Sequence, residues 1–152
     1  MRKAMLLLGV FGLVGALWAA DPFAGTWKLN ATKSQITSGP PPKTEIATFI
    51  AQENGLKLVV DGVGADGKAI HVGYAAKFDG KDYPLTGLAD ADTIAIKRID
   101  ANTFSELFKK AGKEVSSARL VSSKDGKTLT RTSKERNAKG EEVTNASVYE
   151  KQ

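Results

Sequence analysis

The feature that most constrains this chain is the spacing of its turns. From residue 53 onward, short turn clusters recur between extended runs: Asn54-Gly55, Asp66-Gly67, Asp79-Gly80, Asp100-Ala101-Asn102, Ala111-Gly112, Asp125-Gly126 and Asn137-Ala138-Lys139-Gly140. Asn-Gly and Asp-Gly pairs supply the positive φ angles of tight hairpin loops, so such clusters join neighbouring antiparallel strands. Between them apolar and polar residues alternate one by one, the pattern of a half-buried strand rather than a helix. Ile70, Val72, Tyr74, Ala76 and Phe78 give the cleanest alternation, and Leu56, Leu58 and Val60, then Ile94, Ile96 and Arg98, repeat it. The expected strands cover residues 44–52, 56–62, 70–78, 82–86, 93–99, 103–109, 115–122, 128–136 and 142–150. Pro84 removes a ladder donor from the run 82–86 and marks it as the weakest strand.

A further strand precedes these. Phe23, Gly25, Trp27 and Leu29 fall on one face of an extended segment, with Ala24, Thr26, Lys28 and Asn30 on the other. Residues 31–43 break the alternation and end in Pro40-Pro41-Pro42, which reads as an ordered crossover loop with a polyproline II tail rather than a lid. Sequential hairpins make an up-and-down topology, and closing the sheet removes the edges that would invite aggregation. The expected fold is all-β: an antiparallel up-and-down β-barrel of about eight to ten strands.

Residues 1–20 carry Arg2 and Lys3 followed by an apolar run from Ala4 to Ala20, the profile of a secretory signal peptide. Cleavage after Ala19 or after Ala20 is expected, leaving residues 21–152 as a single β-barrel domain that is periplasmic or extracellular. Loss of Arg2 and Lys3 lowers the formal net charge from +5 to +3. There is no Cys, so no disulfide and no lipid-anchored Cys can form, and the core alone must hold the exported domain. Lys and Arg are interspersed with Asp and Glu, which argues against a nucleic-acid partner. The strands carry too many charges, and no paired aromatic girdles, for an outer-membrane barrel, so no membrane association is expected once the leader is removed. A monomer is expected.

Two terminal motifs carry a resemblance. Gly25-Thr26-Trp27-Lys28-Leu29 resembles the first strand of the calycins, the lipocalins and fatty-acid-binding proteins, and Val148-Tyr149-Glu150-Lys151 resembles the closing strand of the latter. The resemblance implies that Trp27 plugs one end of the barrel and that Tyr149 points inward to a ligand. In that family an Arg two residues before the Tyr completes an anion clamp; here that position is Ser147. The chain also resembles small exported bacterial β proteins of unknown function that open with the same motif.

Catalysis has little to draw on. His71 is the single histidine, it lies on the strand face opposite Ile70, Val72 and Tyr74, and without Cys neither a Cys–His pair nor a soft metal site can be assembled. No catalytic residue, metal or cofactor is expected, and the acidic pairs Asp79/Asp82 and Asp90/Asp92 read as solvated turn residues. The residues of interest are cations and phenols within strands: Tyr74, Arg98, Arg119, Arg131 and Tyr149. Turned inward, they would make an interior that binds a small hydrophobic, amphipathic or anionic ligand. The expected function is therefore that of an exported, non-enzymatic, lipocalin-like binding protein. The alternative is an interaction or inhibitor module whose barrel is packed solid by its own side chains.

Overall fold

The computed structural model describes residues 20–152; the expected leader, apart from Ala20, lies outside the described residues. Ten strands follow in order: β1 Gly25–Leu29, β2 Thr44–Gln52, β3 Gly55–Val63, β4 Ala69–Lys77, β5 Tyr83–Thr86, β6 Thr93–Asp100, β7 Thr103–Lys110, β8 Lys113–Ser122, β9 Thr128–Arg136 and β10 Glu142–Lys151. Each pairs antiparallel with its sequence neighbour, and β1 also pairs with β10, so the sheet closes into an up-and-down barrel. The hairpin signals act as expected: Asn54 adopts a φ of 55° between β2 and β3, whose register runs without a break from Thr44↔Val63 to Gln52↔Gly55.

One end of the barrel is packed shut. Phe23, Trp27, Leu56, Ile96 and Phe104 are buried there, with the Phe23 ring edge-on to Phe104 at 4.7 Å and Phe78 edge-on to Phe104 at 5.6 Å. Trp27 donates its indole N–H to the Phe23 carbonyl at 2.9 Å, so the one polar atom of this plug is satisfied by the segment that leads into β1. Asp21 folds that segment back by accepting the Phe23 amide at 3.0 Å. Lys151, near the end of β10, lies 4.5 Å from the Trp27 ring.

The wall is thinnest at β5. Its pairing is limited to Gly73↔Thr86 and Tyr74↔Leu85 on one side and Tyr83↔Ile94 and Pro84↔Thr93 on the other. Gly87 then brings the chain against β4 so closely that a Cβ at that position would stand 1.8 Å from the His71 carbonyl oxygen, and its φ of +90° is a left-handed value that other residues rarely adopt.

Residues 31–43 form wall rather than lid. Because β1 stops at Leu29 while β10 continues, Asn30 caps a 3₁₀ turn (Ala31–Lys33) and the following residues run beside β10 through a bridge between Gln35 and Ala146. The buried Asn145 fastens this run: its Oδ1 accepts the Thr37 amide at 2.7 Å and the Ser38 amide at 3.1 Å, and its Nδ2 donates to Ser38 Oγ at 2.9 Å.

Candidate functional site

Away from the aromatic plug the barrel is hollow, with a cavity of about 640 Å³. Leu58, Phe108, Leu120 and Leu129 supply apolar wall, and the cavity reaches the surface beside Gly87, Leu88 and Asp90, next to the weakly paired β5. The cavity follows from strand parity: residues such as Ser116 on β8 and Ser133 on β9 face inward, and side chains that small leave the interior unfilled.

Three polar assemblies face this space. Glu106 is 2% exposed, between Phe104 and Phe108 on the inner face of β7. It accepts the Tyr74 hydroxyl at 2.8 Å and pairs with Arg131 Nε at 3.2 Å. The Tyr149 hydroxyl donates to Glu45 Oε1. Glu135 Oε1 accepts from Ser133 Oγ at 2.9 Å and from Asn145 Nδ2, so the side chain that fastens the loop also braces a cavity carboxylate. Burial, followed by the Glu106 carboxylate, holds the Tyr74 phenol well above its ordinary pKa, and burial followed by Glu45 does the same for Tyr149. Burial pulls the Arg131 pKa down, but the attraction of Glu106 and its neighbours outweighs this and leaves it raised. Arg131 is thus a fixed cation whose guanidinium lies 5.6 Å from the Phe108 ring.

The structure brings together Tyr74, Arg131 and Tyr149 of the residues expected at the site. Two others lie elsewhere. Arg119 is exposed, because the inner face of β8 is formed by Ala118, Leu120 and Ser122 and not by the face it shares with Val115 and Val121. Arg98 is at the closed end, 2.7 Å from Asp21 Oδ2 and 4.2 Å from the centre of the Phe78 ring. Trp27 is fully buried in the plug. His71 is exposed, its Nδ1 2.6 Å from Asp61 Oδ1. Glu45, Glu106 and Glu135 were not among the expected residues, although alternation places each on the same face as residues that the structure buries or turns to the cavity: Ala47 and Phe49, Phe104 and Phe108, and Arg131 and Ser133. Among the described residues no group of three or more His, Asp or Glu is placed to hold a metal ion.

No protein-family model matches the sequence, and no curated protein is similar to it. Solved structures do match, among them zebrafish ileal bile acid-binding protein in complex with cholic acid, with a TM-score of 0.52 and 10% identity over 86% of this chain and 99% of that one. The shared fold is a closed, ten-stranded antiparallel β-barrel. At that identity the likeness is one of fold.

Proposed function

We propose that this protein is a binding protein that holds a small amphipathic molecule inside its barrel, and that it does so as a monomer after export. The observation that carries this reading is the cavity itself. Its volume of about 640 Å³ lies within the range of small-molecule sites, and apolar walls with a few buried, mutually bonded polar groups are what such sites offer. The same volume speaks against a barrel packed solid by its own side chains. A similar barrel, the zebrafish protein, was solved with cholic acid, which is consistent with this use of the fold. The single histidine, His71, is exposed at the rim of the cavity and paired with Asp61. Export is supported by the leader profile of residues 1–20.

Fluorescence titration of the mature protein with N-phenyl-1-naphthylamine, a neutral amphipathic probe, tests the reading. Saturable binding of one probe per chain is expected, with loss of binding in Val60→Trp, which fills the cavity. Absence of saturable binding by folded wild-type protein would overturn it. Intact mass of protein recovered from the cell envelope tests export: a chain starting at Ala20 or Asp21 is expected, and an uncleaved chain would refute it.

A further inference from the structure

Apart from His71 and Asp90 at the rim, the charged side chains facing the cavity are three carboxylates, Glu45, Glu106 and Glu135, and one guanidinium, Arg131. They are spread around the wall and do not act alike. Glu106 is matched by Arg131, and the pair closes on itself with help from Tyr74. Glu45 and Glu135 form no direct ion pair among the described residues, although Glu135 lies near enough to Arg131 to add to the attraction that holds its pKa up, so one guanidinium serves more than one carboxylate. Their only donors are neutral, the Tyr149 hydroxyl for Glu45 and the Ser133 hydroxyl and Asn145 amide for Glu135, and in both cases they reach Oε1. No described residue donates to Oε2 of either. This excess of negative charge is local, since the chain without its leader is net positive at +3.

We infer that the ligand of this cavity carries a basic nitrogen, a protonated amine or amidinium, on an apolar body. The inference rests on the reading of the cavity as a ligand site and names the chemistry of its occupant. An ammonium group brings donors to carboxylate oxygens that lack them and a charge that offsets theirs, and charge-assisted hydrogen bonds of this kind are stronger than neutral ones. A carboxylate ligand would instead meet three carboxylates offset by one guanidinium, and the like charges would repel it. Arg131 does not reverse this balance, because an anion bound to it would sit beside Glu106 as well. Leu58, Phe108, Leu120 and Leu129 provide the surface for the apolar body.

Three probes that differ only in the head group test the inference: dodecylammonium, dodecanol and dodecanoate. Each is used below its micelle-forming concentration to displace N-phenyl-1-naphthylamine from the mature protein at neutral pH and low salt. Dodecylammonium is expected to displace the probe at a concentration at least about tenfold lower than dodecanoate, with dodecanol between them. Dodecanol and dodecanoate equal to or better than dodecylammonium would overturn the charge assignment and leave the cavity reading intact. Failure of N-phenyl-1-naphthylamine to bind at all would overturn both. The Glu45→Gln/Glu135→Gln variant is expected to lose the preference while still binding dodecanol. If it keeps the preference, these two residues are not its source. The ranking in the wild-type protein stands as a test even where the variant does not fold.

Discussion

Replacing Arg131 by Met isolates the buried pair at the centre of the cavity wall. Arg131→Met leaves the Glu106 carboxylate, 2% exposed, with the Tyr74 hydroxyl as its remaining partner. Removing one member of a buried ion pair costs about 3–5 kcal/mol, because the other charge stays buried without compensation. Arg131 keeps 27% of its side chain exposed along the cavity, so water can reach the vacated position and lower the cost. A loss of about 2–3 kcal/mol is therefore expected. With a urea slope of ~1.5 kcal/mol per molar, the unfolding midpoint falls by ~1.3–2 M. Trp27, fully buried in the plug, reports the transition by its fluorescence. The double variant Glu106→Gln/Arg131→Met removes both charges and keeps a hydrogen-bonding partner for Tyr74, and it should come within about 1 kcal/mol of the wild type. The reasoning is refuted if the single substitution costs less than about 1 kcal/mol, or if the double variant is as unstable as the single one and the cycle shows no coupling.

Three further outcomes are expected. Asn145→Ala removes the acceptor of the Thr37 and Ser38 amides and should cost about 1–3 kcal/mol; hydrogen exchange at those two amides should accelerate while Gln35, bonded to the Ala146 carbonyl, stays protected, and unchanged exchange would contradict the assigned anchor. Gly87→Ala should lower thermal stability by about 1–3 kcal/mol and loosen β5, since the added Cβ meets the His71 carbonyl; an unchanged melting temperature would contradict it. The Tyr74 and Tyr149 phenols have folded-state pKa values above the ordinary 10.0. Their contribution to stability is thus fully present below the unfolded value and is lost as pH rises above it toward the folded ones. In an alkaline titration their phenolate absorbance should appear only together with unfolding, and their ionisation in a still-folded barrel would refute the buried assignment.

Strand positions were legible because turn chemistry is local: an Asn-Gly or Asp-Gly pair specifies its hairpin whatever surrounds it, and β2, β9 and the weak β5 lie where alternation and Pro84 put them. The inward face of β8 was not legible. Val115 and Val121 look like core residues yet are 37% and 40% exposed, while Ser116 and Ser122 turn inward, because a hollow barrel lines itself with small and polar side chains as readily as with apolar ones. Arg119, which alternation places with Val115 and Val121, lies outside with them. For Arg98 parity was insufficient for a different reason: height along the barrel axis depends on register with strands distant in sequence, and register sets Arg98 opposite Phe104 at the closed end. Glu106 was readable in principle from its place between Phe104 and Phe108, since a carboxylate on so apolar a face needs a partner from elsewhere in the fold. Its partners, Tyr74 and Arg131, come from β4 and β9, and only closure of the sheet brings them together.

The central claim, that the barrel interior holds a small amphipathic molecule, is tested most directly by native mass spectrometry of the mature protein purified from its own host, before and after extraction with organic solvent. The account predicts a mass excess that disappears on extraction and gives the mass of the ligand. The bare chain mass in both spectra would contradict it.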